Sequence, residues 1–168
     1  MCRLVTPDLR LDSVLDLDVP RLRSLNLDTL LLDVDCTLKN YRAEDLAPGV
    51  AAWLDGLRAA GIGLCLISNG RTKRIRRLAE ALGLPVVCQA CKPLPFGCRA
   101  ALRRIGSDRR RTAIVGDQLF ADIMAGRLAG LTCILVRPIH PEQERWFTRI
   151  KRPLERILLA RMEAAKKR

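Results

Sequence analysis

Five short aliphatic runs, separated by four segments with helical periodicity, limit the possible folds of this chain more than any other feature. The runs predict β-strands at residues 28–34, 62–67, 85–88, 112–115 and 132–136. The segments between them predict helices at residues 48–61, 72–82, 96–105 and 119–129, each ending at or just before a glycine. Strands that alternate with helices in this way form βαβ units with right-handed crossovers. We therefore predict an α/β fold, a three-layer α/β/α sandwich around a five-stranded, mostly parallel sheet.

The 168 residues are enough for one domain with its own core, so we expect residues 1–168 to form a single domain. Residues 1–27 form an N-terminal lead-in, and residues 142–168 form a basic, mostly helical C-terminal tail. Interrupted by Pro153, an apolar stripe at helical spacing runs along the tail: Trp146, Ile150, Leu154, Ile157, Leu158 and Met162. Such a helix can pack on the body, which is the commonest outcome, bind a partner, or lie on a membrane surface.

The net charge of +12 is unevenly distributed along the chain. Residues 1–60 carry 7 basic and 10 acidic side chains, whereas residues 61–168 carry 23 basic and 8 acidic ones. The basic part should attract a polyanion such as nucleic acid, an anionic membrane or a phosphorylated substrate, although a solvated arginine-rich surface explains the charge equally well. No apolar run reaches the roughly 18 residues that span a bilayer, and the N-terminus lacks the apolar core of a signal peptide. We expect a cytoplasmic protein, with peripheral binding at the membrane as a further option.

The seven cysteines are an odd number without disulfide-like spacing, which predicts reduced thiols. Cys88 and Cys91 have CxxC spacing, but a zinc site would need two more ligands. Cys98 is a candidate third ligand, and His140 is the only histidine in the chain. The sequence therefore favours two semi-buried thiols in a strand and a loop over a metal or redox pair.

Two aspartates and a hydroxyl follow the first predicted strand, as Asp33, Asp35 and Thr37. In open parallel sheets, ligands bind beyond the carboxyl ends of the strands. Buried carboxylates are unfavourable unless a cation or good hydrogen bonds compensate them. Two carboxylates side by side at a strand end therefore indicate a bound metal.

Polar residues also follow three later strands, as Ser68 and Asn69, then Lys92, then Asp117 and Asp122. Carboxylates suit Mg²⁺, which proteins usually share with a substrate phosphate, while a hydroxyl and an ammonium can hold phosphate oxygens. One carboxylate can attack phosphorus to form an aspartyl-phosphate, and another can protonate the leaving group and then activate water. Each group alone also fits a turn or a helix cap, but the four in this order indicate a phosphoryl-transfer site.

These segments resemble the four motifs of the haloacid dehalogenase (HAD) superfamily, and more closely those of its HAD-IIIA, YqeG-type phosphatases. The matching positions are residues 33–37 for motif I (DxDxT), Ser68 for motif II, Lys92 for motif III and residues 116–122 for motif IV. The resemblance runs from about residue 8 to residue 155. It departs at Cys36 and Gly70, where relatives commonly carry Asn. It implies the HAD-like Rossmannoid fold.

The resemblance also implies a role for each matched residue. Asp33 would be the nucleophile and Asp35 the general acid and base, with Thr37 shaping the loop that holds Asp35. The implied phosphate-binding residues are Thr37, Ser68, Asn69 and Lys92. The implied Mg²⁺ site comprises Asp33, Asp35 through its backbone carbonyl, Asp117 and Asp122.

Many HAD enzymes enclose small substrates under a cap domain, but residues 39–47 and 84–89 leave no room for one. The resemblance therefore implies an open site for a bulky phosphomonoester on a lipid, nucleic acid or protein. Relatives of this type include phosphatases of phosphatidylglycerophosphate. We expect a Mg²⁺-dependent phosphatase that acts through an aspartyl-phosphate, and we expect the tail to bind anionic vesicles through Trp146, Ile150, Leu154 and Leu158. The alternative is a basic RNA- or ribosome-binding protein with a degenerate HAD site, against which the complete set of site residues argues.

Overall fold

The computed structural model describes residues 3–70, 73–143 and 146–166. Its strands are β1 (Leu9–Leu11), β2 (Thr29–Leu32), β3 (Gly63–Ile67), β4 (Val86–Val87), β5 (Thr112–Gly116) and β6 (Thr132–Val136). Its α-helices are α1 (Val19–Ser24), α2 (Val50–Ala59), α3 (Lys73–Ala81), α4 (Phe96–Ile105), α5 (Met124–Ala129) and α6 (Trp146–Lys166). A π-helical turn spans Leu119–Ile123, and short 3-10 turns lie at Arg3–Val5, Val14–Asp16, Arg109–Arg111 and Pro141–Gln143.

The strands form one parallel sheet in the order β1-β6-β5-β2-β3-β4. β2 lies between β5 and β3, with Leu30 opposite Ala113 on one side and Leu64 on the other. All four residues of β2 are buried, as expected for a strand covered on both faces. The predicted α/β class and parallel sheet are confirmed, and the carboxyl ends of β5, β2 and β3 meet at one edge.

The predicted count of five strands is corrected to six, because the N-terminal lead-in contributes β1. This strand pairs in parallel with β6, Leu9 opposite Ile134. Asp8 anchors it: the carboxylate accepts the Cys133 N–H at 2.8 Å and pairs with Arg127 at 2.6 Å. Three residues are too few to show a strand periodicity, so this pairing is invisible in the sequence.

The core lies in two layers, one on each face of the sheet. Alternate side chains of β2 point to opposite faces, so Leu30 and Leu32 join a cluster that includes Leu54 of α2. Leu31 joins the other cluster, which includes Cys98 of α4 and Met162 of α6. The helices thus cover both faces, and the connections at residues 33–49 and 82–85 are short.

Helix α6 continues through Pro153 and has two different faces. Its inner face buries Arg152, Glu155 and Met162, and half-buried Leu158 and Leu159 also pack against the core. Four large apolar side chains remain exposed: Trp146, Ile150, Leu154 and Ile157. At 100° per residue these four lie opposite the inner face. The predicted apolar stripe is therefore divided between two faces. Leu158 and Met162 pack on the body. The exposed face contains Ile157 instead of Leu158, which we had expected to bind vesicles. No helix in the described part of the chain is long and apolar enough to cross a membrane.

Candidate active site

Three neighbouring strands bring the predicted motifs together at the carboxyl edge of the sheet. Asp33 follows β2 and its N–H still donates to the Val115 carbonyl of β5, at 2.9 Å. Ser68 follows β3, and its N–H donates to the Val87 carbonyl of β4 at 3.0 Å. Asp117 directly follows β5. The register of a parallel sheet thus aligns motifs that are far apart in the chain.

Asp33, Asp117 and Asp122 form a buried carboxylate cluster in which one oxygen from each lies within 4.8 Å of the others. The Thr37 hydroxyl lies between two of them, 3.1 Å from Asp117 Oδ1 and 3.4 Å from Asp33 Oδ2. Close approach of Asp122 requires a glycine at position 116, because a Cβ there would lie 2.3 Å from Asp122 Cγ.

The Lys92 ammonium lies between two carboxylates of this cluster. It donates to Asp33 Oδ1 and, at 2.6 Å, to Asp122 Oδ1. Burial would lower the pKa of Lys92, but Asp122 and Asp33 raise it well above its usual value, so the ammonium is charged. Burial also raises the pKa of Asp33, with Asp122 and Asp117 adding to the effect and Lys92 opposing it. Besides Lys92, the Arg152 guanidinium of α6 contacts this cluster, at Asp117.

This donor set fits a divalent cation, because it offers only oxygen ligands and its three carboxylates outnumber the two cations, Lys92 and Arg152, that contact them. Asp35, predicted as a ligand through its backbone carbonyl, directs its side chain elsewhere. Its carboxylate lies 3.0 Å from Arg74 Nη2 and 3.1 Å from Lys39 Nζ. The Asp35 side chain is 23% exposed, against 9% for Asp33, so it lies nearer the rim of the site.

Lys39 is a site residue that sequence reasoning missed. Its side chain is fully buried, and Nζ donates to the carbonyls of Asn40 at 3.0 Å and Ala43 at 2.7 Å in addition to pairing with Asp35. Its carbonyl accepts the N–H of Cys36, whose φ of 66° lies in the left-handed region. Asn adopts that region more readily than most residues, so the Asn that the family resemblance implies at this position would suit this backbone conformation.

Arg74 of α3 was also missed, because the sequence shows it only as one of several basic helix residues. It pairs with Asp35, donates to the Tyr41 carbonyl at 2.8 Å, and lies 5.8 Å from the centre of the Tyr41 ring. A tyrosine ring at this distance attracts a guanidinium. Arg74 and Lys39 thus hold Asp35 from two sides.

The predicted phosphate-binding residues of motif II have internal partners. Ser68 is buried, and its Oγ accepts the Gly70 N–H at 3.0 Å. The Asn69 side chain makes two bonds to the backbone of Lys92, accepting its N–H at 2.8 Å and donating to its carbonyl at 2.9 Å. Asn69 therefore braces the segment that carries the Lys92 ammonium.

Cys88 is half-buried after β4, as predicted, but the prediction was wrong for Cys91, which is exposed in the following loop. Within the described residues, the one group of three or more potential ligand side chains is the aspartate cluster. Burial raises the pKa of Cys98, the suggested third thiol, to about 12. The thiols of Cys98 and Cys91 thus occupy very different surroundings.

Helix α6 contributes two further site residues that the sequence placed in a tail. Arg152 donates to the Asp117 carbonyl at 2.7 Å and to Asp117 Oδ2. Glu155 accepts the Phe120 N–H at 3.2 Å and pairs with Arg152 at 3.1 Å. Both are buried, and burial raises the pKa of Glu155 while Arg152 opposes the shift. Their only sequence signal is a charged pair at i, i+3 within an otherwise apolar face.

A cavity of about 1130 Å³ opens beside Asp117, between α6 and the β1–β6 edge of the sheet. Apolar side chains such as Leu11 and Val136 line it together with Arg137 and Arg156. It is large enough for a substantial organic group.

Comparison with known proteins agrees with the geometry of the site. The family model for haloacid dehalogenase-like hydrolases matches residues 9–130. YqeG of Bacillus subtilis strain 168, named as a probable phosphatase, is 26% identical over 94% of this chain and 91% of its own length. Phosphatidylglycerophosphate phosphatase 1, a chloroplastic protein of Chlamydomonas reinhardtii, is 28% identical over 94% of this chain, which spans 62% of that relative.

A solved structure shows the same fold. NagD from Escherichia coli K-12 superposes with a TM-score of 0.57 at 18% identity, covering 66% of this chain and 87% of its own. The strand-end motifs and the family match, which spans most of the chain, lead to the same assignment. This chain belongs to the haloacid dehalogenase-like hydrolases, and its similarity to YqeG indicates a phosphatase.

Proposed function

We propose that the protein is a Mg²⁺-dependent phosphomonoesterase that acts through an aspartyl-phosphate on Asp33. The observation that carries this proposal is the buried cluster of Asp33, Asp117 and Asp122 with the Lys92 ammonium between two of its members. When bound, Mg²⁺ would hold phosphate oxygens and neutralise their charge. Lys92 supplies a second fixed positive charge beside the nucleophile.

In the first step, an Asp33 oxygen attacks phosphorus and the bond to the leaving oxygen breaks. Asp35 gives that oxygen a proton, so the alcohol leaves uncharged. In the second step, Asp35 takes a proton from water, and the water oxygen attacks the phosphorus of the aspartyl-phosphate. The bond between phosphorus and the Asp33 oxygen breaks, inorganic phosphate leaves, and both aspartates return to their starting states. The position of Asp35 at the rim, apart from the carboxylate cluster, suits a group that meets both leaving group and water.

For the substrate, we propose the phosphomonoester of an anionic phospholipid, with phosphatidylglycerophosphate as the leading candidate. The short connections around the site leave space for a bulky molecule, and the cavity beside Asp117 offers apolar walls next to arginines. The similarity to a phosphatidylglycerophosphate phosphatase supports the same class.

We propose that the outer face of α6 contacts the anionic membrane that holds this lipid. Trp146 and Ile150 are 72% and 67% exposed, with Leu154 and Ile157 continuing the stripe. Basic residues of the same helix, among them Arg161, are also exposed. Apolar side chains flanked by cations are the composition of an interfacial helix.

The mechanism is tested with Asp33→Asn, using an aryl phosphate and Mg²⁺. We expect turnover to fall by at least about a thousandfold, since the nucleophile is lost, while the circular dichroism spectrum stays unchanged. Asp45→Asn, an exposed aspartate after motif I, is the matched control and should keep full activity. Wild-type turnover should also disappear with EDTA and return with Mg²⁺. Turnover that survives in Asp33→Asn would refute the aspartyl-phosphate.

The membrane surface is tested by co-sedimentation with vesicles of phosphatidylglycerol or phosphatidylcholine. We expect wild type to bind the anionic vesicles, and a variant with Ile150→Gln and Leu154→Gln to stay in the supernatant. Phe96→Gln, which alters an exposed apolar residue on α4, is the control and should bind as wild type does. Equal sedimentation of wild type and the double variant contradicts the proposal. Salt-sensitive RNA binding without phosphatase activity would favour the RNA-binding alternative instead.

A further inference from the structure

One turn of helix α6 holds both ends of the segment that carries Asp117. Arg152 contacts Asp117 twice, at the backbone carbonyl and at carboxylate Oδ2. Glu155 accepts the N–H of Phe120, at the start of the π-helical turn. The two side chains also pair with each other at 3.1 Å. Residues 117–120 therefore take part of their conformation from a helix that lies outside all four motifs.

The contacts to Asp117 decide which of its oxygens faces the cluster. Oδ2 accepts a hydrogen bond from the Arg152 guanidinium. Oδ1 is therefore the oxygen that contacts the Thr37 hydroxyl, which also contacts Asp33. A guanidinium that binds both a carbonyl and a carboxylate restrains the side-chain torsions of the aspartate. Partners of this kind, which orient a ligand without touching the metal, commonly change metal affinity by about 10- to 100-fold.

The charge of Arg152 could instead oppose a bound cation, but Glu155 lies within ion-pair distance of it. The pair has no net charge, so its main effect on the cluster is orientation. Both residues are less than a tenth exposed, and Met162 and Leu159 bury the same face of the helix. The pair can keep this geometry only while α6 is docked on the body.

We propose that α6 contributes to metal binding, because its residues Arg152 and Glu155 are positioning residues that orient Asp117 for a divalent cation. This inference rests on the proposed metal-dependent function. Because coupling between two equilibria is reciprocal, docking of α6 strengthens metal binding and bound metal strengthens the docking of α6. A surface that binds the outer face of α6 would thereby act on the same site.

The first test measures affinity for Mn²⁺, which takes the same oxygen ligands as Mg²⁺, by titration calorimetry. A variant with Arg152→Met and Glu155→Met removes the pair without changing net charge, so a purely electrostatic role predicts unchanged affinity. We expect binding at least about 10-fold weaker, as for lost orienting partners. The control joins Asp55→Met with Arg58→Met, an exposed i, i+3 ion pair of α2, and should bind as wild type does.

Arg152→Lys gives an independent answer if the double variant does not fold. It keeps the charge and most of the stem, but an ammonium lacks the planar fork that donates to both the backbone carbonyl and Oδ2 of Asp117. We expect weaker Mn²⁺ binding here too. If wild type binds Mn²⁺ no more tightly than the double variant or Arg152→Lys, the inference about α6 is refuted, but the proposed metal-dependent function is not. Wild type that does not bind Mn²⁺ at all overturns the proposed metal-dependent function as well.

The second test follows cleavage of α6 by trypsin, for which exposed Arg149, Lys151 and Arg156 are targets. Saturating Mn²⁺ should slow cleavage of wild type several-fold, and should protect the Arg152→Lys protein less. Cleavage of wild type at the same rate with and without Mn²⁺ would show that docking and metal binding are independent.

Discussion

Replacing Lys92 by Met tests how much the charge balance of the carboxylate cluster contributes to stability. The Lys92 side chain is 3% exposed and its two partners, Asp33 and Asp122, are 9% and 0% exposed. Met preserves the unbranched apolar stem, so the change removes chiefly the ammonium. Two carboxylates then remain buried without the cation that compensates them.

Breaking a buried ion pair by removing one partner destabilises a protein by about 3–5 kcal/mol. The stem exchange itself should contribute less than about 1.5 kcal/mol, because the side chains have similar volumes. We expect a loss of about 4 kcal/mol, a large part of the roughly 5–15 kcal/mol that stabilises most domains. At a urea m-value of about 2 kcal/mol/M, the unfolding midpoint would fall by about 2 M.

The assay is urea unfolding at pH 7 with EDTA, followed by circular dichroism. Lys151→Met, an exposed lysine of α6, is the matched control and should change stability by less than about 0.5 kcal/mol. Adding Asp122→Asn to Lys92→Met removes one of the uncompensated charges and should restore about 1–2 kcal/mol, a coupling typical of contacting residues. Equal midpoints for Lys92→Met and Lys151→Met would refute this account of the cluster.

Three further results are expected. Gly116→Ala should lower the melting temperature and abolish metal binding, because the new Cβ would lie 2.3 Å from Asp122 Cγ; calorimetry with Mn²⁺ checks this, and unaltered binding contradicts it. Gly56→Ala, inside α2 with no atom within 4 Å of the new Cβ, should stabilise the protein by about 0.5–1 kcal/mol in urea unfolding. Iodoacetamide at pH 8 should modify exposed Cys91 well before Cys98, whose pKa burial raises to about 12; peptide mass spectrometry gives the order, and equal rates would disprove it.

The position of α6 changes the interpretation of the C-terminal part of the chain. The sequence leaves packing, a partner and a membrane surface as alternatives for it. The structure assigns its inner face to the body, through Met162 and the Arg152–Glu155 pair, and leaves Trp146 and Ile150 outside. The helix thereby links a surface suited to an interface with the segment that carries Asp117.

The sequence by itself determined the fold class and predicted which motif residues would meet at one edge of the sheet. Strand and helix periodicities are local, so β2, β3, β5 and β6 and the helices between them could be located from the order of residues alone. The carboxyl ends of parallel strands share one edge of a sheet, and this general rule placed Asp33 near Asp117 without any coordinates. The order of the motifs along the chain then predicted that Lys92 lies close to these aspartates.

Only the tertiary structure decided which residues surround that centre. β1 is too short to have a period, and it exists because Leu9–Leu11 meets an open edge of β6. Lys39 reaches Asp35 because its loop folds back, and Arg152 meets Asp117 across 35 residues of chain. A local pattern carries no information on such contacts, since they depend on how helices dock on the finished sheet. The residues that meet at the site could therefore be predicted from the sequence, whereas their contacts with α6 required the packed structure.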